Sequence, residues 1–346
     1  MSQSKAIKPK LKAALLKLPG FLTICSILTR NIPRIFVYHR FTEDGDETGR
    51  RVSAETFEWQ LRWIKKGWKV ISLRDYLKMR LEGRKLVSKV VVITVDDGYR
   101  DFYDVAYPRL KKHGMRATLF PTLNFINGTM WLWPDRIKYA LENTSREVME
   151  FQILEEVFNL DLRTSESRQS EWQKLSDFCI DIRNGEKMEF IDHLERELGV
   201  APPPAPTVEY SGMTWEEVRE VSHNGIEIGS HTINHPILNQ VSKEEARREI
   251  FESKSILENG LRAQVDTFCY PNGRIADLND EIVRYVEEAG YIGAVSIESP
   301  SASSFDRFRM SRLAVSNDKV DFLWKLSGAE FLVEGGKAHF LKGVVF

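Results

Sequence analysis

Two short stretches of this 346-residue chain carry side chains suited to holding a cation. His231 and His235 stand four residues apart, and the adjacent Asp96 and Asp97 are followed by Gly98. Imidazoles at that spacing reach one ion whether the segment is a helix, with both on one face, or a loop. Paired aspartates after an apolar strand are costly unless one binds a cation and the other is hydrogen-bonded. Gly98 permits the sharp turn that lets both face one point. A lone histidine is more often a satisfied core or surface residue; the pair together with Asp-Asp-Gly points to a metal. Two histidines and one aspartate leave coordination positions open, as catalytic rather than structural sites do. A bound ion brings the pKa of its water toward about 7, and Asp96 is then a carboxylate free to take the proton.

Such residues need rigid elements to bring them together. From residue 34 the chain alternates short β-branched runs with amphipathic helical stretches. Strands are expected at 34–38, 69–71, 89–95, 117–121, 226–229, 266–270, 292–297 and 310–315. Helices are expected at 54–67, from Ser72 onward, and at 101–113, 214–222, 243–259, 279–289 and 320–326. Repeated β-then-α units mean a parallel sheet, here a closed or nearly closed (β/α) barrel of seven or eight units, with a doubly wound open sheet as the alternative. In a parallel barrel the functional residues sit where strands end. The unusual polar clusters fall there: His39-Arg40, Asp96-Asp97-Gly98, the run His231 to His235, and Tyr270-Pro271-Asn272-Gly273.

The rhythm breaks between residues 126 and 210, a charged stretch with few strand signals that closes on the proline-rich run Ala201 to Pro206. The expected organisation is a basic N-terminal segment (1–33), a discontinuous barrel (34–125 and 211–328), a helical insertion (126–210) and a C-terminal tail (329–346). Trp131 and Trp133 in the insertion are candidates for stacking on sugar rings, against the commoner fate of tryptophans in a small core.

Composition narrows the partners. A net charge of −1 gives no overall field for nucleic acid. Cys25, Cys179 and Cys269 are odd in number and far apart, so neither a disulfide framework nor a zinc knuckle is implied. Lys5, Lys8, Lys10 and Lys12 precede an apolar stretch, Ala13 to Leu28, that Lys17, Pro19 and Gly20 interrupt. No clean signal-peptide core or membrane-spanning run emerges. The segment reads as a basic amphipathic helix, either touching a membrane surface or packed on the domain. Location is expected to be cytoplasmic or membrane-associated.

Thr94-Val95-Asp96-Asp97-Gly98, then His231 to His235, then Phe268-Cys269-Tyr270-Pro271-Asn272-Gly273 resemble, in order, the first three motifs of the polysaccharide deacetylase (NodB-homology) family. Tyr38-His39-Arg40 is similar to a motif of bacterial members of exopolysaccharide and cell-envelope type. The resemblance implies a deformed (β/α) barrel and a divalent metal, zinc first, with cobalt, nickel, manganese or iron as alternatives. It implies Asp97, His231 and His235 as ligands, Asp96 as base, and the Tyr270 backbone N–H as an oxyanion donor. Arg40, Pro271 and Asn272 join Trp131 and Trp133 as candidate substrate contacts. The reaction implied is attack of water on the acetamide of an N-acetylated oligo- or polysaccharide.

Two departures stand out. The family's third motif often carries an arginine that orients the base, and Thr267-Phe268-Cys269 has none. Its last motif often ends in Leu-x-His, where this chain reads Arg312-Leu313-Ala314-Val315. His39 is the one remaining histidine at a strand's C-terminal end and so the candidate acid; the others include His339 in the tail. Alternatives to N-deacetylation are an O-acetyl esterase, an amino-sugar deformylase, or a sugar-binding protein that has lost its acid.

Overall fold

The run Val90–Asp97, buried along its whole length, is the central strand. In this computed structural model, which describes residues 9–45, 51–84, 88–153, 155–297 and 305–333, it is flanked by parallel neighbours. Arg34–Tyr38 pairs with it from Arg34↔Val91 to Tyr38↔Val95, and Thr118–Pro121 from Thr94↔Thr118 to Asp97↔Pro121. A parallel strand with partners on both edges and apolar side chains packed on both faces has no side for water, so its sequence is apolar without alternation. Lys69–Val70 adds a short parallel pairing at its start.

The pairings continue outward. Thr118–Pro121 pairs with Glu227–Ile228. Ser230 then bridges Phe268 in parallel, leading to a second sheet of Thr267–Cys269, Gly293–Ser296 and Met310–Ser311. Leu313–Ala314 returns to the first sheet at Phe36↔Leu313 and Val37↔Ala314. The expected strand 310–315 is thus two short ones, each paired to a different sheet, with Arg312 between them.

The helices begin where their caps predict. Ser53, Ser72, Thr214, Ser242 and Asn279 each accept from the backbone N–H three residues on, satisfying a donor that the first helical turn leaves unpaired. The 101–113 helix departs from expectation by opening with a wide π turn, Phe102–Ala106. Apolar faces of these helices join the strands in the main core, which includes Phe36, Phe57, Leu61, Ile93, Val95 and Phe268.

The 126–210 segment, read from sequence as helical, also contains an antiparallel hairpin, Val148–Ile153 with Glu156–Asp161. Its outward strand faces are exposed and mix valines with polar residues, so only a few alternating apolar residues mark it. Those residues, Met149, Phe151, Phe158 and Leu160, meet the helices Trp133–Asn143, Ser165–Asp181 and Asn184–Leu198 in a separate core. Trp133 lies in that core, and Trp131 donates its Nε1–H to Pro203 O at 2.9 Å while packing against Tyr139 and Tyr210. Both indoles are buried, so neither offers the open face a stacked sugar requires; their role is to hold the insertion together.

At the N-terminus, Pro9–Leu16 and Phe21–Leu28 form two helices bent by 96°. Leu15, Leu16, Phe21 and Cys25 pack with Trp324, Ala329 and Leu332 of the C-terminal helices Lys319–Ser327 and Ala329–Val333. The junction is the buried Arg34, whose guanidinium donates to Ile32 O (2.6 Å), Leu326 O (3.1 Å) and Thr29 O (3.3 Å). Gly328, at φ +82, is required here: a Cβ would meet the Arg34 guanidinium and Thr29 Oγ1. Lys5, Lys8, His339 and the rest of the tail beyond residue 333 lie outside the described residues. Among the described residues no single helix is long and apolar enough to cross a membrane. The three cysteines are free and buried.

Candidate active site and metal centre

Asp97 Oδ1 lies 3.5 Å from His231 Nε2 and 3.4 Å from His235 Nε2. These distances are long for hydrogen bonds, but they match the separation of about 3.4 Å between donors sharing one tetrahedral ion at bond lengths near 2.0–2.1 Å. All three side chains are buried. His231 Nδ1 lies 2.8 Å from Cys269 O. A carbonyl only accepts, so Nδ1 carries a proton, the arrangement that leaves Nε2 to a cation when one is bound. Burial alone would raise the Asp97 carboxyl, but the two imidazoles hold it well below the usual carboxylate range. Its ionised form is the one a cation needs. The residues present therefore fit a divalent metal.

The backbone reaches this arrangement through unusual conformations. Asp97 has φ +70, Thr232 +68, His235 +55 and Asn272 +59; these are four of the seven non-glycine residues with positive φ among those described. Left-handed backbone at such residues persists only where the surroundings impose it, and it concentrates at functional sites. Gly98 follows at φ +84 against Pro121, so a Cβ there would be crowded as well. The segment from His231 to His235 is a loop, secured by Glu249 of the helix Lys243–Leu261. Its fully buried carboxylate accepts from the N–H groups of Ile233 (2.7 Å) and Asn234 (2.9 Å) and from Asn234 Nδ2 (2.7 Å). Thr232 Oγ1 accepts from the His235 N–H. Nothing in the sequence marked Glu249 beyond its place on the buried side of an amphipathic helix.

Asp96 is held differently. Arg312 grips it with both arms of the guanidinium, Nη1 to Oδ1 and Nη2 to Oδ2, each at 2.7 Å. Nη1 also reaches Thr94 Oγ1 (3.1 Å) and Nη2 reaches Cys269 Sγ (3.2 Å). Burial opposes the ionised form of Asp96, but the charge and hydrogen bonds of Arg312 prevail and lower its pKa. The arginine missing from the third motif is thus present from the other end of the chain, and Cys269 in that motif packs against it. Its sequence signal was a lone arginine inside an apolar strand, a residue that is buried only when paired. His39 Nε2 lies 3.7 Å from Asp96 Oδ2, with its side chain 45% exposed against 3% for Asp96. It is the solvent-facing member of the group.

The other sequence candidates fall into place around these. The Tyr270 N–H donates to Val295 O at 3.2 Å, so it belongs to the ladder and is not the oxyanion donor expected of it. Two residues on, in the turn after Pro271, the Asn272 Nδ2 is buried without a partner. Arg40 donates to Asp101 Oδ2 and Glu209 O, both at 2.6 Å, and stacks over Tyr99. Tyr99 donates to Asp135 of the insertion at 2.6 Å. Arg40 therefore ties the insertion to the C-terminal end of the strands. Burial pushes the Asp135 carboxyl up to about 6.

The model of the polysaccharide deacetylase family matches residues 83–150 and 201–294, leaving out most of the insertion. The Bacillus subtilis protein YxkH, named for polysaccharide deacetylase, is 25% identical over 285 residues, covering 82% of this chain and 71% of that protein. The poly-beta-1,6-N-acetyl-D-glucosamine N-deacetylase of Staphylococcus epidermidis is 34% identical over 79 residues, 22% of this chain and 27% of that protein. The solved Streptococcus pyogenes deacetylase PplD, in complex with acetate, superposes with a TM-score of 0.56 at 18% identity, covering 85% of this chain and 97% of that one. That likeness is one of fold.

Proposed function

We propose that this chain, which the polysaccharide deacetylase family model matches over 83–150 and 201–294, is a carbohydrate deacetylase, a hydrolase of non-peptide carbon–nitrogen bonds, and that it removes the N-acetyl group from an amino sugar of an exopolysaccharide, cell-wall or lipid-linked glycan. The observation that carries this reading is the pairing of two unlike aspartates: Asp97 within reach of two imidazoles, and Asp96 gripped by Arg312 beside His39. The first set suits a cation, zinc first among the divalent ions, bound by Asp97, His231 and His235. The bound ion would polarise the acetamide carbonyl and make water acidic enough to ionise near neutral pH.

The chain's own groups account for the remaining steps. Asp96, ionised and immobile, accepts the proton of the attacking water as its oxygen bonds to the carbonyl carbon. The unpartnered Asn272 Nδ2 is the donor we assign to the developing oxyanion. His39, open to solvent and next to the base, gives a proton to the nitrogen as the carbon–nitrogen bond breaks, releasing acetate and a free amine. The succession of parallel pairings around both sheets supports a deformed (β/α) barrel as the frame, with 126–210 as an insertion beside its catalytic end.

The test is acetate release from a panel of N-acetylglucosamine oligomers and polymers by metal-stripped protein, with and without added zinc or cobalt. Metal-dependent release is expected, falling by about a thousandfold or more in Asp96→Asn while the protein still takes up metal. Tight metal binding without release from any acetamide would overturn the reading in favour of an ester substrate, a formyl group or sugar binding alone.

A further inference from the structure

The chain's exposed apolar residues are unevenly spread. Leu11, Leu18, Ile24, Ile27 and Leu28 are each about half exposed, from 48 to 59%, and all lie on the two N-terminal helices or the turn between them. On Pro9–Leu16 the exposed positions Leu11 and Ala14 continue to Leu18; on Phe21–Leu28 the positions Ile24, Ile27 and Leu28 share a face. The opposite faces are already occupied, with Leu15, Leu16, Phe21 and Cys25 packed on the C-terminal helices. These helices are therefore docked by one apolar side and present a second to solvent, which a protein surface rarely does without a partner.

Charge says what the partner is. The first 42 residues hold eight lysines and arginines and no aspartate or glutamate; since the chain nets −1, all that follows nets −9. Lys10, Lys17 and Arg30 are exposed beside the apolar stripes. Exposed leucines and isoleucines edged by basic residues on short helices fit the boundary between acyl chains and anionic headgroups. We propose that these helices dock the protein on the surface of an anionic membrane, lying in the interface without crossing it.

The fold also sets the orientation. Thr29, just after the second helix, and Ser327, ending the C-terminal helix that covers it, both meet Arg34, the first residue of its strand. Asp96 and Asp97 lie past the far end of that strand, since Tyr38 is in register with Val95. At roughly 3.3 Å per residue the strand alone separates the two ends by about 13 Å. The catalytic end is therefore turned away from the bilayer.

Vesicle co-sedimentation of the full chain tests this, using phosphatidylcholine alone and phosphatidylcholine mixed with phosphatidylglycerol. Capture is expected on the mixed vesicles at least about tenfold above the neutral ones at low salt, falling at high salt. Lys10→Glu with Lys17→Glu should abolish it, as should Ile24→Ser with Ile27→Ser and Leu28→Ser. Each altered side chain is exposed, and near-native circular dichroism and melting temperature are expected to confirm that the fold is kept. Equal capture on both vesicles, or on neither, overturns the proposal. So does a mass of two copies in solution that the triple serine variant returns to one, which would assign the apolar face to self-association. Vesicle-bound protein should release acetate from a soluble oligomer within about twofold of the free rate; suppression of that rate overturns the orientation. This last arm alone rests on the proposed function, and sedimentation reads the docking whether or not the protein is an active deacetylase.

Discussion

Asp96 and Asp97 are neighbours in sequence, yet the two sides of the site they begin are built on different scales. On the Asp97 side, His231 and His235 come from one five-residue loop, and the group that secures that loop, Glu249, lies a short helix segment further on. On the Asp96 side, the gripping residue is 216 positions away on the final strands. A cation site needs several donors within a narrow distance range, which a tight loop supplies. A base needs a single fixed orientation and a counter-charge, which any strand reaching the same end of the sheet can provide. The ligand loop was therefore local enough to be conspicuous in sequence, whereas the hold on the base was not.

That contrast can be broken most forcefully from the ligand side. His231→Ala should remove stoichiometric zinc from the purified protein and lower deacetylation by about a thousandfold or more, with Asp96 and Arg312 still in place. Retention of one tightly held zinc would sink the ligand assignment.

A smaller change is expected on the base side. Arg312→Lys keeps the charge but loses the two-armed grip, and kcat/KM should fall by about 10- to 100-fold with metal content unchanged. The direction with pH is fixed. Arg312 holds the Asp96 pKa down, so its stabilisation is present above the ordinary aspartate range and is lost as pH falls through the depressed value. Weakening the grip lets burial raise that pKa, so the acid limb of the rate profile should move to higher pH. A limb that stays in place while the rate drops would mean that Arg312 acts on something other than the base.

The smallest effect sharpens the comparison. Glu249→Gln preserves the shape of the loop's support but weakens its charge-assisted hydrogen bonds. Metal affinity, measured by competition with a chelator, should fall by about tenfold, and excess zinc should restore the full rate. A loss that excess zinc does not restore would place Glu249 in catalysis rather than in holding the loop.

The same physics explains what could be read without coordinates. The strand and helix order was legible because burial on both faces leaves long apolar runs such as Val90–Val95, and because serine, threonine and asparagine caps mark helix starts. The hairpin 148–161 was missed because exposed Val148 and Val157 blur the alternation of apolar and polar positions that marks a half-buried strand. Tyr270 was given an oxyanion role because motif position cannot show that its N–H is committed to Val295. Trp131 and Trp133 were judged by residue type, while their partners, Pro203 and the Lys187 ammonium among them, lie tens of residues away.

The split final strand has a consequence for the chain's synthesis. Asp97, His231 and His235 have all left the ribosome long before Arg312, so a cation can be gathered by a chain that still lacks its last strands. Until residues 310–314 join the Gly293–Ser296 strand at one end and the Arg34–Tyr38 strand at the other, Asp96 lacks its guanidinium partner and the sheets are joined only through Ser230 and Phe268. Closing the fold and arming the base are then one event. On the roles proposed above, a nascent or truncated chain would hold metal yet remain idle.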